Sequence, residues 1–276
     1  MSPDQIAQWA VIGLALAAAG LTAGFVGGLF GIGGGIVIVP ALYYGFSLFD
    51  VPDEVRMHAA VATSLATIMA TSWRSLATHA KAGAVDFETL RAWAPWIALG
   101  ATLGAIIAGL ISETALLIVF GVGIMLVSAN LTFGREEWRL ADHPPKGGLR
   151  GVLASALGAA SSMMGIGGGV FGVSIMTLCG RTIHQAVATA SGFGAAIAIP
   201  GTLANIATGW NREGLPAFSL GYVHAPSFVF ISLMTMLTAP YGARFAHSLS
   251  RRTLRRILAA FLALTAANML REAFFS

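Results

Sequence analysis

Two glycine clusters carry the chemistry this sequence offers, Gly31-Ile32-Gly33-Gly34-Gly35 and Gly165-Ile166-Gly167-Gly168-Gly169. A glycine run lets the backbone take positive φ and lets a ligand approach it closely. Where such a run breaks a helix inside a bilayer, the freed N–H and C=O groups are tolerated only against protein, water or ligand. A half-helix that starts at the break aims unpaired N–H groups and the positive end of its dipole at whatever lies beyond. Two such starts facing each other suit a small oxyanion, so Gly31, Gly33, Gly34, Gly35, Gly165, Gly167, Gly168 and Gly169 are candidate binding residues. Small residues also serve tight helix crossings, but a crossing alone does not ask for the same five-residue run twice.

Hydroxyls follow each cluster. Thr63 and Ser64 in the first half, and Thr189 and Ser191 in the second, are placed to complete an anion shell. Ser and Thr in membrane helices also bond to their own backbone or to a neighbouring helix, and both readings stand. His58 and His184 occupy matching positions near helix starts, and His79 matches Asn205 further on. These four are candidates for gating or for proton linkage, against the plainer role of hydrogen-bonded interfacial side chains. Enzyme chemistry has no foothold, because there is no HExxH, no GxSxG and no pair of aspartates within an apolar run. Cys179 is the only cysteine, which excludes an intramolecular disulfide and a cysteine-based metal site. No cofactor or metal is expected.

The elements that must position these residues are membrane helices. The chain is 56% hydrophobic and 10% charged, against the roughly 25% charged residues of a soluble domain. No charged side chain occurs between Gln5 and Phe49, and further uncharged runs cover Ala92–Ser112, Thr114–Gly134, Gly151–Gly180, Thr182–Asn211 and Leu215–Ala243. Each reaches the ~20 residues a helix needs to cross the hydrocarbon core. Met57–Trp73, which ends at Arg74, and Ile257–Leu270, which follows an arginine cluster, are expected to cross as well. Met1–Gln8 lacks the positively charged start of a signal peptide, so this segment is expected to be retained. The apolar stretch after Gly31–Gly35 is too short to span with the preceding helix unbroken, which places a break at each glycine cluster.

The two halves of the chain match in order. His58 and Ala60-Val61-Ala62-Thr63 correspond to His184 and Ala186-Val187-Ala188-Thr189, and Gly83 corresponds to Gly209. With small gaps Ala94-Pro95 pairs with Ala225-Pro226, Gly104 with Gly242, and Ala129-Asn130 with Ala267-Asn268. If each glycine-broken region returns to its starting side, most arginines and lysines fall on one face, leaving only Arg56, Arg212 and Arg271 on the other. The positive-inside rule makes the crowded face cytoplasmic and puts both termini in the periplasm. Five elements per half is an odd number, so the second half is expected to be inverted relative to the first, the plan of many secondary transporters. The expected organisation is a first repeat over residues 1–134, a cytoplasmic linker over 135–150 and a second, inverted repeat over 151–276. Arg74 has no basic mate, since Pro200 holds its repeat position, and it is read as marking the inner boundary of a helix. All twelve acids lie in loops or at helix ends, so a proton relay through buried carboxylates is not expected.

Over almost its full length the chain resembles the sulfite exporter TauE/SafE family of membrane permeases. The resemblance rests on Gly27-Gly28-Leu29-Phe30-Gly31-Ile32-Gly33-Gly34-Gly35 followed by Pro40, on Ala62-Thr63-Ser64, and on Gly83-Ala84-Val85-Asp86-Phe87. Pro240-Tyr241-Gly242-Ala243-Arg244 and Ser250-Arg251-Arg252-Thr253-Leu254-Arg255-Arg256 extend it to the closing helices. It implies transport of sulfite or of sulfur-containing organic anions, usually out of the cytoplasm. Ala190 stands where the serine of Ala62-Thr63-Ser64 would recur, with Ser191 one place on. Residues and resemblance together lead to an all-α integral membrane protein of about ten helical elements in a bacterial inner membrane, exporting a small anion by alternating access. The rival readings are an anion channel or facilitator with the same site, and a membrane scaffold that transports nothing. Expected partners are the anionic substrate and membrane lipid; the net charge of +4 sits in short loops between apolar runs, so nucleic acid is not expected.

Overall fold

The computed structural model describes residues 3–30, 34–48, 51–133, 141–246 and 251–275. Among them it has ten α-helices and one two-residue β-hairpin. The first five helices are α1 (Pro3–Phe30), α2 (Gly35–Ser47), α3 (Asp53–Lys81), α4 (Phe87–Leu110) and α5 (Glu113–Phe133). The remainder are α6 (Gly147–Met163), α7 (Gly169–Leu178), α8 (Ile183–Thr208), α9 (Ala225–Ala246) and α10 (Arg251–Phe275), with β1 (Ser219–Leu220) and β2 (Val223–His224) ahead of α9. Four helices are long and apolar enough to cross a membrane by length and composition, namely α4, α5, α8 and the Arg255–Phe275 part of α10. The all-α membrane fold read from the sequence is the one observed.

Local chemistry sets the boundaries. The Asp86 carboxylate caps α4 by accepting the Thr89 N–H at 3.0 Å, and Thr182 caps α8 by accepting that of Gln185 at 3.4 Å. The uncharged run 151–180 divides into α6 and α7 at its glycines. The run 57–73 is only part of α3, which continues to Lys81 and so encloses Arg74 within the helix.

Small and branched apolar side chains of α3 form the centre, with Ala59, Ala60, Val61, Ala62 and Leu65 fully buried. Around it α3 crosses α8, α1 runs along α9, α4 along α6, and α5 along α10. Every one of these pairs joins a helix before residue 134 to one after residue 147. Glycine makes the closest approaches possible: a Cβ on Gly104 of α4 would stand 2.5 Å from the Ala159 carbonyl of α6, and one on Gly24 of α1 would meet Thr238 of α9. The rim exposes large apolar side chains such as Leu103, Leu126 and Leu264, as lipid contact requires.

Candidate functional site

Both glycine clusters interrupt helices, and the interruptions touch. On one side α1 ends at Phe30 and α2 begins at Gly35, with Gly34 in the left-handed region at φ 78°. On the other, α6 ends at Met163, Gly165 has φ 63°, and α7 begins at Gly169 after Gly168. A Cβ on Gly35 would lie 2.7 Å from the Gly165 carbonyl oxygen, so the two backbones abut with no room for a methyl group. The Ser64 hydroxyl donates to that same carbonyl at 2.8 Å and ties α3 to the second break. Gly31 and Gly33 lie outside the described residues.

Beside this junction is a cavity of about 440 Å³ enclosed by α1, α3, α7, α8 and α9. Thr71, Ser72, Arg74, Ser75, Thr78 and His79 of α3 form one wall. Gly167, Gly168 and Gly169 at the start of α7 and Ser191 of α8 line it too, and the remaining lining is mostly apolar. No acidic residue lines the cavity among the described residues. Arg74 makes no ion pair with any described residue; the ion pairs among those residues are Arg56 with Asp53 and Arg181 with Asp86. A cationic side chain, the positive end of a helix and several hydroxyls therefore converge on one space, which is the chemistry of an anion site.

The candidate residues separate into three groups. Gly167, Gly168, Gly169, Ser191 and His79 line the cavity. Gly34, Gly35 and Gly165 are buried at the junction, and among the described residues only the start of α7 opens on the cavity, not that of α2. The rest are not among the residues that line the cavity. Thr63 accepts the His224 N–H at 3.0 Å and Thr189 accepts the Asp86 N–H at 3.1 Å, whereas the Asn205 side chain donates to the Gly201 carbonyl of its own helix at 2.8 Å. His58 sits 3.2 Å from the Ile111 carbonyl oxygen through Nε2 and stacks on Tyr222, whereas its repeat mate His184 is exposed at the start of α8. Ser191 also donates to the Ala188 carbonyl of its own helix at 2.6 Å.

Arg74, Thr71, Ser72 and Ser75 are the residues the sequence reading missed. Reading Arg74 as a boundary mark assumes that α3 ends where its apolar run ends, and the helix continues for about two more turns. A signal for them existed, since Thr67, Thr71, Arg74 and Thr78 recur at helical spacing along one face.

Asp86, in the loop between α3 and α4, ties that loop to the start of α4 and to Arg181 ahead of α8. Partial burial opposes its ionisation. The Thr89 N–H and hydroxyl and the Arg181 guanidinium at 2.8 Å outweigh this and hold the carboxyl below its usual range.

Comparison with known proteins gives the family. A chain from Haemophilus influenzae named a probable membrane transporter protein is 33% identical over 91% of this chain and 95% of its own length. A probable membrane transporter protein of Methanocaldococcus jannaschii is 26% identical over 91% of this chain and 92% of its own. One of Bacillus subtilis, named YunE, is 29% identical over 58% of this chain and 65% of its own. No solved structure matches the chain. The profile described as sulfite exporter TauE/SafE covers residues 16–269. With helices that suit a bilayer, relatives that are named transporters and a family profile across nearly its whole length, the chain is a membrane transporter that belongs to the sulfite exporter TauE/SafE family.

Proposed function

We propose that this protein exports a small anion, sulfite or a sulfur-containing organic anion, by alternating access between two inverted repeats, residues 1–134 and 151–276. The observation that carries this reading is that Arg74 and the start of α7 line one cavity, which both halves contribute to and which no acid lines among the described residues. An exposed cation in the same cavity as a helix N-terminus suits negative charge, and the hydroxyls Ser72, Ser75 and Ser191 supply further donors to an oxyanion.

The inverted arrangement draws support from matched contacts. The pairing of α1 with α9 mirrors that of α6 with α4, and the Thr63 bond to the residue before α9 mirrors the Thr189 bond to the residue before α4. Alternating access draws support from a contact that is unequal. The helix α4 packs extensively along α8, while its mate α9 meets α3 over a shorter stretch, and the cavity lies there. In the orientation given by the loop charges, this opening faces the cytoplasm of a bacterial cell and both termini face the periplasm.

Reconstituted protein tests the reading. A panel of labelled sulfite, thiosulfate and sulfonates in proteoliposomes should include at least one transported anion. Arg74→Gln should slow its transport by about ten- to a hundredfold, the size of one charge-assisted hydrogen bond. Unlabelled anion on the far side should accelerate exchange in a carrier and not in a channel. If no anion moves, the scaffold reading replaces this one.

A further inference from the structure

Three hydroxyls in the second half of the chain are enclosed and make no hydrogen bond among the described residues. Ser161 and Ser162 have no exposed surface and Thr202 has 4%, and none of the three oxygens has a hydrogen-bond partner among the described residues. They are neighbours: Ser161 and Ser162 end α6, and the Ser162 hydroxyl lies 2.9 Å from where a Cβ on Gly201 would stand, one residue before Thr202. Burying a hydroxyl without a partner is unfavourable, and folded proteins leave few such groups. Three at one place point to a state in which something else reaches them.

The repeat identifies that state. Ser161 stands at the position of Gly27, Gly158 at that of Gly24, Gly201 at that of Ser75 and Asn205 at that of His79, and all four of those mates line the open cavity; Ser162 and Thr202, at the positions of Gly28 and Leu76, adjoin two of these positions in sequence. The region is the cavity's image under the repeat, and it is shut. A Cβ on Gly201 would meet the Leu65 side chain at 3.2 Å, and α4 closes along α8 where α9 leaves α3 partly uncovered.

We infer that Ser161, Ser162 and Thr202 line the opposite-facing half of the same anion path, closed in this conformation and hydrated when the Arg74 cavity closes. There their O–H groups donate to the oxyanion in place of water. This inference rests on the alternating-access reading given above. Pro200 holds the position of Arg74, so this half offers hydroxyls without a cation and releases the anion more readily than the Arg74 side.

Single-cysteine variants test it. Ser75→Cys, Ser162→Cys and Thr202→Cys are each made with Cys179→Ser, and right-side-out and inside-out membrane vesicles are treated with a membrane-impermeant methanethiosulfonate. Ser75→Cys should react from one face only, and Ser162→Cys and Thr202→Cys from the opposite face. The latter two should react several-fold faster while a transported anion is cycling. If Ser162→Cys does not reach the membrane, Thr202→Cys carries the same test. Reaction from the same face as Ser75→Cys overturns the inference, as does no reaction of transporting Ser162→Cys and Thr202→Cys proteins under conditions in which Ser75→Cys labels. Absence of anion transport by the unsubstituted protein overturns the carrier reading itself, and the two failures are thereby distinguishable.

Discussion

The hydroxyl oxygen of Thr63 accepts the backbone N–H of His224 at 3.0 Å, a bond that runs from the core of the first half to the residue before α9 in the second. Its mate Thr189 does the same for Asp86, the residue before α4, at 3.1 Å. Each threonine thus fastens the fourth helix of the other half. Thr63→Val should cost about 1–3 kcal/mol by leaving a buried N–H unpaired, and Thr189→Val less, because the Asp86 amide is only partly enclosed. Thermal unfolding in detergent reads both losses. The KM for the transported anion should stay within about twofold of the parent, and a large rise would return these hydroxyls to the binding site.

Ser75 allows the complementary test, because it lines the cavity and is only half-buried. Ser75→Val should raise KM by about three- to tenfold, the value of one neutral hydrogen bond, and leave the melting temperature within a degree or two. Unchanged transport kinetics would remove Ser75 from the anion's path.

Replacements at the glycines disturb helix packing before they reach any ligand. A Cβ on Gly168 would stand 2.7 Å from the Phe193 Cβ and 2.9 Å from the Gly194 nitrogen, so even alanine displaces α7 from α8. Gly168→Ala should cost about 1–3 kcal/mol through overpacking. Gly34→Ala should cost about 1–2 kcal/mol because alanine resists φ 78°. Melting temperatures of the purified variants check both. Loss of transport in these variants reports on helix contacts before it reports on a ligand, which is why Arg74 and Ser75 are the sharper probes.

Asp86 gives the acid dependence. Its carboxyl is held below the ordinary value of 3.8 in the folded protein, so its contribution is fully present above about pH 4 and disappears as pH falls through the folded value. Melting curves of the parent and Asp86→Asn should differ by a constant amount from pH 5 to 8 and converge below about pH 4. Curves that stay apart down to pH 2 would mean that the carboxylate is not the stabilising form.

Composition made the membrane class legible, and the repeated glycine clusters made both helix breaks legible, because length, charge and φ preferences act locally. The division of 151–180 into α6 and α7 follows directly from its glycines. The candidate site was legible in its second glycine cluster and much less so in its side chains. Thr63 and Thr189 look like donors to a ligand until the chain folds and brings backbone N–H groups from distant segments to them. Arg74 looks like a helix end because a charge beside an apolar run usually is one. Only the continuation of α3 to Lys81 and the arrival of α7 place it on the wall of a cavity. Such contacts join residues a hundred or more positions apart, and no local pattern encodes them.

Gly35 rests against the Gly165 carbonyl so closely that not even a methyl group fits between them. In the alternating-access cycle proposed above, so narrow a bearing would act as a see-saw, in which prising the halves apart at one face drives them together at the other. A wedge set at that bearing would jam both movements together, so a small lipophilic compound lodged there should arrest the cycle whichever way the load is travelling.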